Sequence, residues 1–172
     1  MSTDPHDKAD VEKRLWKEVE DARFGMLGLV GSHQHFQPMT AFAEPETGQI
    51  WFFTRDDTDL AQAVTADGGD AMFVVQAKDG DFQACIGGRL SRDHDTARIQ
   101  RWWSPIVAAW YPDGKDDPHL TLLRLDARDA DLWISKGGAV RFAWEIAKAN
   151  LTDRKPDLGD RAHLGIAEKS AH

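Results

Sequence analysis

One cysteine, one tyrosine, no long apolar run and no excess of positive charge mark what this 172-residue chain does without. With Cys85 alone, no intrachain disulfide can form, which fits a reducing compartment and sets the expectation of a cytoplasmic protein. No stretch approaches the roughly 18 apolar residues of a membrane-spanning helix. The opening MSTDPHDKAD lacks the apolar core of a secretory signal. Twenty-nine acidic against 21 basic side chains leave a formal net charge of −8, and no basic stripe offsets it, which argues against a nucleic-acid partner. No Ser–His–Asp arrangement or carboxylate pair has a spacing that argues for hydrolysis. Internal repeats and low-complexity segments are missing too. So is the repeating strand–helix–strand unit of a doubly wound sheet.

What is present is ordinary in bulk, with 41% hydrophobic and 29% charged residues, and suits one domain over 1–172. The polar ends, residues 1–6 and the tail from Asp153, are expected to be loosely held. Seven tryptophans are the exception in the composition. Each brings large apolar area and an N–H that needs a partner, which favours cores, interfaces and flat-ligand sites.

The periodicity predicts an amphipathic helix over 7–22 with Val11, Leu15, Val19 and Ala22 on one stripe, then an apolar strand from Phe24 to Val30. Phe36, Pro38, Thr40 and Phe42 alternate with Gln37, Met39, Ala41 and Ala43, the pattern of a half-buried strand. Pro38 marks it as an edge or a bulge. A turn at Glu46–Gln49 leads to a strand from Ile50 to Thr54, and Asp56 and Asp57 offer caps for a helix over 57–66. Strands at 71–77 and 82–91 form a hairpin, with a bulge or close approach at Gly87-Gly88. A helix capped by Asp93-His94-Asp95 and a short turn after Ser104-Pro105 carry Trp102, Trp103 and Trp110. Residues 120–126 and 130–135 read as two strands, or as one bent at Arg128-Asp129. A last helix places Val140, Trp144, Ala147 and Leu151 on one face. Six or seven mostly hairpin-connected strands close most naturally into a small antiparallel barrel with flanking helices, an α+β fold.

Several residues have two readings. Thr54-Arg55-Asp56-Asp57-Thr58 is either a capped helix start or an anion cradle at the end of a strand. Trp102, Trp103 and Trp110 read first as core or interface, and otherwise as ligand contacts. His33 and His35 share a strand face but lack a third metal ligand, so no metal site is expected. Cys85 reads as a small buried apolar group, His119 as a surface loop residue, and Asp116-Asp117-Pro118 as a turn and cap.

The chain resembles the pyridoxamine 5′-phosphate oxidase-like superfamily of FMN-binding split barrels, and within it the general stress protein branch. The resemblance is carried by QPM at 37–39, IWFFTRDDTDLAQAV at 50–64, FQACIGGRLS at 82–91, WWSPIVAAWYPDGKDDP at 102–118 and LTLLRLDARDADLW at 120–133. It implies a homodimer with a flavin, FMN or alternatively FAD, at the subunit interface, and in one form a flavin-dependent oxidoreductase. By position it implies that the ring's polar edge meets the backbone around Gln37, Pro38, Met39 and Thr40, and that the phosphate meets Thr54, Arg55 and Thr58 next to Phe53. Gln83 matches a glutamine that reaches the flavin, and Trp133 a tryptophan that packs on it from the other subunit. Family members usually carry Arg at the position of Gln37 and Lys at that of Leu60. With no evident grip for a substrate phosphate, oxidation of pyridoxamine phosphate itself is not expected. Two alternatives remain: a non-enzymatic flavin or tetrapyrrole carrier or sensor, and a dimeric member that holds no cofactor.

Overall fold

A computed structural model of the chain describes residues 5–135, 139–152, 154–155 and 159–166. Helix α1 (Pro5–Ala22) starts at a proline, whose fixed φ suits a first helical turn, slightly ahead of the expected residue 7. It drives Leu15, Trp16 and Val19 into the core, and Arg23, at a φ of 62°, turns the chain out of it. The strands are β1 (Phe24–Leu29), β2 (Gln37–Thr40), β3 (Phe42–Glu44), β4 (Gln49–Arg55), β5 (Gly69–Gln76), β6 (Phe82–Asp93), β7 (Leu120–Ser135) and β8 (Gly159–Gly165). Between them lie α2 (Asp59–Ala63), α3 (Thr96–Trp102), α4 (Pro105–Ala108) and α5 (Ala139–Thr152).

Every strand pairing is antiparallel, in the order β2-β1-β5-β6-β7-β4-β3, with β8 added along β7. The sheet curls until β2 approaches β4, so the α+β split barrel expected from the sequence is the fold. Alternation along the strands sorts the side chains. Leu27, Phe73, Val75, Phe82, Ala84, Ile86, Ala130 and Leu132 point inward with Leu15 and Val19 of α1. On the outside, α3, α4 and the loop after them cover β4 and the first half of β7. They enclose a second core around Trp51, Ile99, Val107, Tyr111, Leu120 and Leu122.

Four local expectations are corrected. The strand read across 36–43 is two strands: Ala41 is buried at a corner where its N–H bonds the Arg23 carbonyl (2.6 Å) and the chain changes partner from β1 to β4. Within β2, Met39 packs on the core while Pro38 and Thr40 face out. Helix α2 has five residues, and its cap is Thr58, whose hydroxyl accepts from the Ala61 N–H, rather than Asp56 or Asp57. Cys85 lies on the outward side of β6, half-buried, with Sγ 3.6 Å from Met72 Sδ. The tail from Asp153 contributes β8, which pairs with β7 from Asp129↔Gly165 to Ser135↔Gly159. Residues 1–4, 136–138, 153, 156–158 and 167–172 lie outside the described residues.

The two readings of 120–135 resolve into one continuous strand. Gly87 pairs with Asp129 and Gly88 with Ala127, so Arg128 is the extra residue of a bulge. A Cβ at Gly88 would come within 2.2 Å of the Asp126 carbonyl oxygen, so only glycine admits this approach. The bulge is the bend predicted at Arg128-Asp129. It separates the helix-covered half of β7 from an uncovered half.

Candidate functional site

The uncovered half of the sheet gathers part of the predicted site. Reading across the register, Thr40, Phe24, Gln76, Gln83, Trp133 and Arg161 form one outward row. Pro38, Met26, Val74, Cys85, Asp131 and His163 form the next. Gln83 and Trp133 are directly opposed, whereas Thr40 reaches their row only across β1 and β5. Gln83 Nε2 donates to the Gly80 carbonyl (2.8 Å), which pins its amide to the hairpin turn. Arg161 stacks its guanidinium 5.5 Å from the Trp133 ring centre. Arg161 and His163 also hydrogen-bond Asp131 (3.0 and 2.8 Å) and hold its carboxyl below the usual range. Phe24 is 67% exposed and Trp133 41%, with Met26, Met72 and Val74 partly exposed between them. Strand β2 ends the sheet path, so among the described residues one side of its backbone has no strand partner, consistent with Pro38 at an edge.

The second part of the predicted site is the loop from β4 into α2. Thr54 and Thr58 bring their hydroxyls to 3.2 Å, and the Thr58 hydroxyl donates to the Arg55 carbonyl (2.9 Å). Arg55 gives Nε and Nη2 to the two oxygens of Asp57 (3.1 and 3.0 Å). Arg55 thereby holds the Asp57 carboxyl below its ordinary range, and Asp57 raises the guanidinium pKa in turn. Across from them, the Asp56 N–H bonds the His119 carbonyl (2.9 Å) and His119 Nδ1 lies 2.8 Å from Asp56 Oδ1. That hydrogen bond to Asp56 raises the His119 pKa above the usual histidine value. Asp117 is buried, and its Oδ1 accepts the His119 N–H (2.9 Å) at the turn expected around 116–118.

Sequence reasoning missed the His119 contact with Asp56 because the partners are 63 residues apart and only strand register joins them. Arg55 pairs with Leu120, which makes Asp56 and His119 the next opposed pair. Asp56, Asp57 and His119 bring three metal-ligand atoms within 4.8 Å of one another, but Arg55 and the His119–Asp56 hydrogen bond already occupy them. His33 and His35 take no part in that group.

Phe53 belongs to an aromatic layer beneath this loop rather than to its rim. It packs edge-to-face on Phe42 (5.4 Å, 74°) and lies 6.3 Å from Trp103 and 6.5 Å from Tyr111. Tyr111 donates its hydroxyl to the Thr54 carbonyl (2.7 Å), which fixes the end of β4, and burial pushes its pKa up to about 12. Trp102 and Trp103 join this layer, while Trp110, 72% exposed, does not. Underneath, Glu44 ties β3 to α3. Arg98 donates to its two oxygens (2.6 and 3.1 Å), with Arg101 (3.2 Å) and the Thr47 hydroxyl (2.8 Å) completing the shell. Burial pushes the Glu44 carboxyl up, yet these donors bring it below its ordinary value. A cavity of about 410 Å³ lined by Glu44, Glu46, Ala97, Arg98 and Arg101 opens here and includes none of the predicted site residues.

The side chains at 54–58, one guanidinium and two hydroxyls, are chemically suited to a phosphate once the Thr58 hydroxyl turns from the Arg55 carbonyl. Nη1 of Arg55 is the nitrogen left without a partner among the described residues. Leu60 is 3% exposed in the core, so it offers no counter-charge to a phosphate.

A profile of the family described as pyridoxamine 5′-phosphate oxidase like matches residues 10–157. The chain is similar to a putative general stress protein 26 from Jannaschia sp. CCS1, at 37% identity over 92% of this chain and 99% of that one, with a TM-score of 0.75. It is also similar to a putative general stress family protein from Xanthomonas campestris pv. campestris (40% identity, 80% and 93% covered, TM-score 0.69). The general stress FMN/FAD binding protein of Xanthomonas citri is another such structure (39% identity, 76% and 92% covered, TM-score 0.69). No curated protein matches the chain.

Proposed function

The chain belongs to the pyridoxamine 5′-phosphate oxidase-like family, and from that premise we propose that it is a flavin-binding protein of the general stress type, taking FMN or FAD. The observation that carries this reading is the 39% identity, over most of both chains, to a protein known as a general stress FMN/FAD binding protein. The chemistry of the residues supports it. Thr54, Arg55 and Thr58 would hold the phosphate. The edge backbone of Pro38 and Thr40 would meet the polar rim of the ring, and Gln83 and Trp133 its flat surface.

Two copies would complete the site: Thr54 pairs with Thr121 and Gln83 with Trp133, twelve residues apart along β7 and on the order of 30 Å or more, beyond the reach of one flavin within one chain, so Gln83 and Trp133 would come from the second copy. Bound there, a flavin would supply redox chemistry, and the protein's part would be to hold it, orient it and exclude water. No side chain in either group stands as a required general acid or base. A cofactor-free dimer is the second reading, favoured by one observation: the carboxylate of Asp57 already takes two of the three Arg55 nitrogens.

The test is the visible absorbance of the purified protein, followed by FMN and FAD titration read by tryptophan fluorescence. A flavin spectrum or saturable quenching is expected, with Arg55→Ala and Thr58→Ala weakening binding. A colourless protein that neither flavin quenches at about 100 μM overturns the flavin reading in favour of the cofactor-free dimer.

A further inference from the structure

Among the described residues, two apolar surfaces of this chain are left uncovered, and they are neighbours in its topology. The first is the outward sheet face, where Phe24, Met26, Phe36, Met72, Val74 and Trp133 are between 37% and 67% exposed. The second is α5. Trp144, Ala147 and Leu151, spaced at i, i+3 and i+7, share one helical face. Trp144 is 67% and Leu151 86% exposed, and no described side chain from Ala143 to Thr152 is buried.

Their adjacency follows from topology. The chain leaves the sheet after Ser135 and re-enters it at Gly159, which is the Cα partner of Ser135. Helix α5 is therefore an excursion from the β7–β8 hairpin. It emerges at the end of the sheet that carries the Gln83–Trp133 row. Fourteen residues of helix span roughly 21 Å, enough to reach well past the edge of its own sheet.

We propose that α5 is an exchanged arm, its Trp144–Leu151 face lying over the uncovered sheet face of a second copy of this chain. The proposal rests on the dimeric reading above and adds which segment crosses. Area selects a second copy as the occupant. From the fractional exposures, the sheet face offers on the order of 600 Å² of apolar side chain per copy, short of the ~800 Å² per partner of a standard stable interface. Trp144 and Leu151 add roughly 350 Å², which brings the total to that size. Both surfaces sit on the same chain, so a two-fold axis satisfies both at once, sheet receiving arm and arm covering sheet. Copies of formal charge −8 repel at long range, and the centre of the sheet face, Met26, Met72, Val74 and Cys85, carries no charge to oppose their approach.

Sedimentation equilibrium of the full chain tests this, comparing wild type with Trp144→Glu/Leu151→Glu and with the milder Leu151→Ala. A wild-type dimer is expected, with its dissociation constant raised at least about a hundredfold by the double charge variant and about tenfold by Leu151→Ala. Far-UV circular dichroism is expected to stay unchanged, because neither side chain supports its own subunit. A wild-type monomer, a charge variant that dimerises as tightly as wild type, or a variant that unfolds the monomer each overturns the proposal. Flavin titration of the same samples separates the two ideas. A wild-type dimer that dissociates on arm substitution but binds no flavin refutes the flavin reading and leaves the arm standing.

Discussion

Glu44→Gln is the substitution whose cost follows most directly from the structure. The side chain keeps its shape, loses its charge, and turns an amide N–H₂ toward donors. Four hydrogen bonds end on this carboxylate, three from arginine nitrogens and one from Thr47, and the residue is only 4% exposed. Removing one member of a buried ion pair costs about 3–5 kcal/mol when the remaining charge stays buried. Here Arg98 keeps 25% of its side-chain surface and Arg101 52%, so water rehydrates both and the loss falls to about 2–3 kcal/mol. Urea unfolding at pH 7 measures it, and in a chain of this size the loss corresponds to a fall of roughly 5–10 °C in Tm. The pH dependence provides a second check. The folded-state pKa of Glu44 lies below its unfolded value of 4.5, so its contribution is complete above that value and disappears as pH falls through the folded pKa. The gap between wild type and variant should therefore close toward acid. A loss below about 0.5 kcal/mol at pH 7, or a gap that persists unchanged at pH 3, refutes the assignment of Glu44 as the clamp between β3 and α3.

Tyr111→Phe should cost about 1–1.5 kcal/mol in urea unfolding by stripping the Thr54 carbonyl of its donor. As the protein's single tyrosine, Tyr111 also reports cleanly in ultraviolet titration, and no phenolate should appear before about pH 11 while the chain stays folded. His119 has a folded pKa above its unfolded value, so its pairing with Asp56 stabilises fully below about pH 6.5 and fades as pH rises through the folded value. Protonation also adds a positive charge beside Asp56 and Asp57, so FMN should bind more tightly at about pH 6 than at about pH 8, and His119→Asn should flatten that difference in fluorescence titrations.

Strand alternation, the hairpin at 78–81, the bend at Arg128-Asp129 and the proline at an edge strand were legible in the sequence because each is set by neighbours in the chain. A small antiparallel barrel follows from counting such elements, and the split barrel and its family from motifs spread along most of the chain. What a local reading could not supply depends on partners far away. Residues 36–43 look like one strand until Ala41 bonds to Arg23 and Phe42 leaves β1 for Trp51 on β4, a change of partner with no signature at 41 itself. The polar tail becomes β8 only because β7 runs on past β4 and leaves its edge at 129–135 as a template. The Asp56–His119 contact exists because the β4–β7 register stops one residue short of it. The apolar stripe of α5 is plain in the sequence, yet only the tertiary structure shows that, among the described residues, nothing in its own subunit buries Trp144 and Leu151. Periodicity assigns a helix its apolar face. Which surface covers that face depends on the area left open once the chain has folded.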